Sequence, residues 1–191
     1  MQAPSRHLPL VGLLGLMVIV AAGGGIYYYQ FVVSHAGLTS VPSHRLVFIN
    51  ATIVEASKNG HGFEITNTAY LNQSGLPGFD PSTGVNMTGL KFTNYAGDSD
   101  NSTIRAHPGD TITFYIYSKS EPAPPQVVGI QGHGFEIDSP SGSAVVGSTV
   151  LRFGEWVAIT ATFSTSGTYL YYCTITCSNG HTFMRGNIVV G

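Results

Sequence analysis

The chain has 191 residues, 8 Lys+Arg against 10 Asp+Glu, and a formal net charge of −2. That length suits one domain with an appendage, and the lack of a basic excess argues against nucleic acid as a partner. With 43% apolar and 11% aromatic residues the chain is not disordered. Only 9% of residues are charged, against about 25% in an ordinary soluble chain, and Ser and Thr outnumber the charges. Two cysteines are too few for a disulfide framework.

The first distinct segment runs from Leu8 to Val33 without a charge (LPLVGLLGLMVIVAAGGGIYYYQFVV). It is longer than the roughly 20 residues a helix needs to cross a bilayer core. Arg6 and the amino terminus flank one end, and the nearest charge beyond the other is Arg45. The positive-inside rule then puts the N-terminus in the cytoplasm, with Tyr27, Tyr28 and Tyr29 at the outer headgroup layer. A cleaved signal peptide is the competing reading, with Ala21-Ala22-Gly23 as the cut. The apolar character continues through Ile26 to Val33, past such a cut, which favours a retained single-pass anchor in the cell membrane. The expected organisation is a cytoplasmic tip and transmembrane helix over 1–34, a linker over 35–45, and an extracytoplasmic domain over 46–191.

Four Asn-X-Ser/Thr sequons, at Asn50, Asn72, Asn86 and Asn101, fit an outside location. None follows residue 103, which leaves the C-terminal part of the domain bare of potential glycans. The low charge also suits an acidic exterior, where carboxylates would be protonated.

Beyond the linker the pattern turns to strands. Leu46–Val54 is β-branched and apolar, and TITFYIY (111–117) follows the Pro108-Gly109-Asp110 turn. In WVAITATF (156–163), Val157, Ile159, Ala161 and Phe163 alternate with small or polar residues, the period of a half-buried strand. Segments 167–172 and 187–190 read as the last two strands, and 67–88, rich in Gly, Pro, Asn and Ser, as a long loop. No segment after Val33 sustains a helical period. Short strands between turn signals indicate an all-β antiparallel sandwich or barrel.

The chemistry concentrates in Cys173-Thr-Ile-Thr-Cys177-Ser-Asn-Gly-His181-Thr-Phe-Met184. Two thiols, an imidazole and a thioether lie in one inter-strand loop. Sulfur ligands of this kind favour copper, and imidazole is compatible with it. His133, in Gly132-His133-Gly134-Phe135 just before a new strand, is the best-placed further ligand. Three other readings stay open. The cysteines could form a disulfide. A structural zinc could take Cys173, Cys177, His181 and His133. A mononuclear copper could take Cys177, His181, Met184 and His133, with Cys173 a bystander.

The spacing Cys-x3-Cys-x3-His-x2-Met, with an upstream His before Gly-Phe and a closing Gly186-Asn187-Ile188-Val189-Val190 strand, resembles cytochrome c oxidase subunit II. More narrowly, it is similar to the short, singly anchored subunit II of B-type haem–copper oxidases, over about residues 103–191. The resemblance implies a cupredoxin-like Greek-key β-sandwich or barrel behind one N-terminal transmembrane helix. It implies a binuclear CuA centre of two copper ions bridged by Cys173 and Cys177. His133 and Met184 would complete one copper, and His181 with the Ile175 carbonyl the other. It further implies a non-catalytic, electron-accepting subunit of an oxygen-reducing oxidase. Electrons would come from a c-type cytochrome or blue copper protein and go to the haem of catalytic subunit I. Alternatives of other classes are a free-standing anchored copper carrier and a copper-delivery protein.

The chain departs from that family in three places. Ile175 stands where many oxidases have a Glu that helps hold magnesium. No Asp or Glu precedes Glu55, so no carboxylate serves a proton-channel mouth from that region. For the aromatic patch through which electrons enter, the nearest candidates are Phe92 and Tyr95. Trp156 reads as packing. His7, His35, His44 and His107 read as solvated or turn residues. Gly60-His61-Gly62-Phe63-Glu64-Ile65 repeats Gly132–Ile137 and reads as a strand with a chance echo.

Overall fold

A computed structural model describes residues 42–71, 75–93, 101–119 and 132–191. The apolar run Leu8–Val33, most of the linker, Asn72 and Tyr95 lie outside the described residues. Residues Pro42–Gly191 form one compact unit.

In chain order the strands are β1 (His44–Ala51), β2 (Phe63–Tyr70), β3 (Phe79–Asp80), β4 (Gly84–Val85), β5 (Phe92–Thr93) and β6 (Thr103–Ala106). They continue with β7 (Asp110–Ser118), β8 (Gly132–Asp138), β9 (Ala144–Arg152), β10 (Trp156–Phe163), β11 (Gly167–Tyr172) and β12 (Arg185–Val190). One sheet has the order β10-β7-β1-β2-β5 and the other β6-β12-β11-β8-β9, with β3-β4 a separate hairpin. The chain passes between the large sheets at β5/β6, β6/β7, β7/β8, β9/β10 and β10/β11. Pairs β1/β7 and β6/β12 are parallel and the others antiparallel. This is an all-β, cupredoxin-like Greek-key sandwich.

The sequence pattern explains the layers. β10 turns Ala161 and Phe163 into the main core, with Val157 and Ile159 packed against it, as the alternation requires. β1 is different. Val47, Ile49 and Ala51 face the main core while Leu46 and Phe48 join a second cluster with Ala69 and Tyr115. Both faces are covered, so β1 reads as a continuous apolar run. It starts at His44, inside the stretch read as linker, because His44 pairs with Thr111 and Arg45 with Tyr70.

The long loop expected over 67–88 is shorter than its composition suggests. β2 continues to Tyr70, and Val85, Leu90 and Trp156 pack on the second cluster. Trp156 lies 5.2 Å from Tyr117, ring to ring, and a Cβ on Gly84 would stand 2.8 Å from its Nε1. Trp156 is therefore packing, as its strand position implies.

Between the sheets, Phe63, Phe135 and Tyr171 form a knot, with centroids 5.5 Å (Phe63–Phe135), 5.7 Å (Phe63–Tyr171) and 5.9 Å (Phe135–Tyr171) apart. Each such ring contributes about 2–3 kcal/mol on burial, and truncating Phe135 to Ala would cost about 3–5 kcal/mol. This knot belongs to the same core cluster as Cys173, Cys177 and Met184.

Candidate metal centre

The antiparallel pairing of β11 with β12 brings Tyr172 opposite Arg185. The intervening residues must then leave and re-enter the sheet at one point. Cys173 N–H donates to the Met184 carbonyl at 2.9 Å and closes that neck. Inside the loop a one-turn 3-10 helix, His181–Phe183, starts at Gly180. Met184 N–H bonds to the His181 carbonyl at 3.0 Å. The loop thereby turns Cys173, Cys177 and Met184 inward, with exposures of 5%, 1% and 0%.

β8 delivers the fourth side chain. His133, opposite Leu151 of β9, is fully buried. One ligand atom each from His133, Cys173 and Cys177 lie within 4.8 Å of one another. The two sulfurs are 3.7 Å apart, both free thiols, well beyond the ~2.05 Å of a disulfide. Cys177 sulfur is also 3.7 Å from the Met184 sulfur, and Cys173 sulfur is 3.1 Å from the Ile175 carbonyl oxygen. His181 stands outside the tight group of three, on the half-exposed turn, and its Nδ1 is buried without a hydrogen-bond partner.

The electrostatics follow from two thiols sharing a dry space. The Cys177 thiol beside it, opposed by burial and aided by the His133 ring and the Gly134 and Ile175 backbones, holds the Cys173 thiol well below its usual range. The same contact, together with burial, pushes the Cys177 thiol up.

Both ring nitrogens of His133 are buried and neither makes a hydrogen bond of normal geometry, although the ring lies close enough to the Cys173 sulfur to favour its charged form. Such an orphaned polar group costs about 1–3 kcal/mol, and native interiors rarely leave one without a reason. A metal bound by one ring nitrogen would supply that reason. Two thiols, a thioether and an imidazole converging in one dry pocket form a donor set that suits copper. Met184 within the cluster weakens the zinc reading, because a thioether is a softer donor than zinc sites use. The residues present fit the implied metal.

Several contacts at the site carried no signal in the sequence beyond the His133-Gly134-Phe135 motif. Gly134 donates its N–H to the Cys173 sulfur at 3.3 Å, and any Cβ there would stand 2.1 Å from Thr174 Oγ1. The Phe153 ring meets the His133 ring edge-on at 5.2 Å. Ser148 and Thr174 hydroxyls, 2.6 Å apart, tie β9 to the loop. Glu55 reaches it from the far side, accepting the Gly180 N–H at 2.9 Å.

The repeated Gly-His-Gly-Phe segments, read from the sequence as a chance echo, both come near the site. They open β2 and β8, one in each sheet, with Phe63 edge-on to Phe135 and Gly62 against Met184. Both segments line the loop. Phe92 lies elsewhere: 44% exposed on β5, its ring 5.7 Å from Phe48 of the second cluster.

No protein-family model matches the chain, and no curated protein matches it. Among solved structures, the chain is similar to a mutant of amicyanin in its reduced Cu(I) form at pH 4. The identity is 25%, over 51% of this chain and 72% of that one, with a TM-score of 0.32. It is similar to a second reduced amicyanin mutant at 27% identity over 47% and 70%, with a TM-score of 0.30. A chain of a heme-copper terminal oxidase dimer, solved by cryo-EM, matches at 12% identity over 97% and 100%, with a TM-score of 0.41. All three superpositions are loose, and the functional reading rests on the residues of this chain.

Proposed function

We propose that the chain is the electron-accepting subunit, of the subunit II type, of a membrane-bound haem–copper oxidase. The observation that carries this reading is the dry convergence of His133, Cys173 and Cys177 with the Met184 sulfur alongside. Cys173, Cys177, His133, Met184, His181 and the Ile175 carbonyl would hold two copper ions. Held there, copper would supply one-electron redox chemistry.

The chain's own residues do the rest. β11 and β12 fix both ends of the loop. The Gly134 N–H steadies the Cys173 sulfur and lowers its basicity. Phe153 holds the His133 ring from its edge, and burial keeps water from the sulfurs. Electrons would come singly from a c-type cytochrome or a blue copper protein and leave for the haem of catalytic subunit I. Residues Leu8–Val33 would anchor the chain in the cell membrane, N-terminus in the cytoplasm and β-domain outside.

A second reading is a free-standing anchored carrier, in which a single copper would take Cys177, His181, Met184 and His133 and leave Cys173 a bystander. Copper stoichiometry with an EPR spectrum of the oxidised full-length protein separates the two. Two coppers sharing one unpaired electron support the oxidase reading, as does co-purification with a haem-bearing subunit. One copper with a single-ion signal selects the carrier, and no copper uptake defeats both.

A further inference from the structure

We infer that Glu55 is a positioning residue for the metal-ligand loop: its carboxylate clasps the Gly180 N–H next to His181 and sets how firmly the loop closes. The electrostatic half of this inference rests on the copper reading; the clasp itself does not.

After β1 the chain makes one 3-10 turn, Val54–Ala56, held by Ala56 N–H to the Ile53 carbonyl at 3.0 Å and Ser57 Oγ to the Val54 carbonyl at 2.8 Å. That turn presents Glu55 to a loop 125 positions away, and Glu55 Oε1 accepts the Gly180 N–H at 2.9 Å. Gly180 is the N-cap of the turn that carries His181 and has no side-chain cap of its own. Glu55 takes the N-cap N–H as the glutamate of a capping box does, but from another part of the chain. The approach is close. A Cβ on Gly180 would stand 3.0 Å from Val54 Cβ and 3.2 Å from Glu55 Oε1. Between Cys177 and His181 the loop has only Ser178, Asn179 and Gly180, so no apolar side chain holds this stretch down. A hydrogen bond to a charged group, stronger than a neutral one, fills that role.

The carboxylate also brings a negative charge to the loop. Such a charge favours the more positive, oxidised state of a nearby metal.

The test compares full-length wild type, Glu55→Ala and Glu55→Gln. In the metal-free protein, exchange of the Gly180 amide hydrogen should speed up about fivefold in Glu55→Ala. Glu55→Gln, which keeps an acceptor oxygen, should stay near wild type. In the copper-loaded protein, loss of copper to a chelator should accelerate several-fold in Glu55→Ala only, while the reduction potential should rise in both variants. Unchanged Gly180 exchange in Glu55→Ala would overturn the clasp, and identical potentials in all three proteins would overturn its electrostatic role. A wild type that binds no copper would remove the copper reading yet leave the exchange result to decide the clasp. Should Glu55→Ala not fold, Glu55→Ser, whose short side chain cannot reach the Gly180 N–H, takes its place in the exchange measurement, and the potential of Glu55→Gln decides the electrostatic role.

Discussion

Gly62 lies directly against Met184: a Cβ built on it would stand 2.7 Å from Met184 Cγ and 2.8 Å from the Thr52 carbonyl oxygen. Its φ of +73° adds a second restriction, because side chains with a Cβ rarely adopt that region. Gly62→Ala should therefore displace Met184 and cost about 1–3 kcal/mol. The checks are a lower melting temperature and weaker copper retention. A variant with wild-type melting and copper retention would mean that Met184 is free to move aside.

Met184 can be tested without disturbing the fold. Met184→Leu conserves volume, so stability should fall by less than about 1.5 kcal/mol. The copper spectrum should change nonetheless, because one soft donor is gone. Cys177→Ser should lower copper stoichiometry in the binuclear reading, since Cys177 touches both Cys173 and Met184. An unaltered spectrum in both variants would place the metal elsewhere.

Acid stability should depend on Asp110, which is 1% exposed at the start of β7. Burial pushes its carboxyl up, but the N–H groups of His107 and Ser43, the Ser43 hydroxyl and the His107 ring outweigh this and hold it below the ordinary carboxylate value. A folded-state value below the unfolded one stabilises fully above the unfolded value of about 4 and is lost as pH falls through the folded value. Asp110→Asn should then cost about 1 kcal/mol near neutrality. The gap in melting temperature should close as the pH is taken well below that unfolded value. A gap that widens in acid would reverse the assigned sign.

The sequons should differ in use if the domain is exported. Asn86 is exposed, and its side-chain oxygen accepts the Thr88 N–H at 3.0 Å. Asn50 is half-buried in β1, between Glu64 of β2 and Tyr117 of β7. Glycopeptide mass spectrometry of the native protein should find sugar on Asn86 and none on Asn50. Sugar on Asn50 would contradict the pairing of β1.

Reduction by a soluble donor should depend little on salt, because the chain carries 9% charged residues and a net charge of −2 and offers little electrostatic steering. Phe183, 59% exposed on the ligand loop, suits apolar contact instead. A rate that falls steeply with added salt would point to charged docking.

The strands that announced themselves were those with one wet face. β10 alternates because only one side of it is buried, and β11 and β12 were legible for the same reason. β1 was recognised as a strand, but its start was not, since Ser43, His44 and Arg45 look like linker until Asp110, Thr111 and Tyr70 are placed beside them. The composition of 67–88 hid the end of β2 and the hairpin Phe79–Val85, whose apolar residues are too sparse to show a period.

The all-β class and the candidate ligands were already legible in the order of the residues, because donor type and local spacing in Cys173–Met184 are one-dimensional properties. Which donors meet is a matter of packing. Packing buried His133 beside the two sulfurs, left His181 outside the tight group, and brought Gly62, Gly134 and Glu55 to the loop from distant positions. Spacing along a chain limits reach only over a few residues. Contacts such as Glu55 with Gly180, 125 positions apart, exist only once two sheets have packed on the core they share.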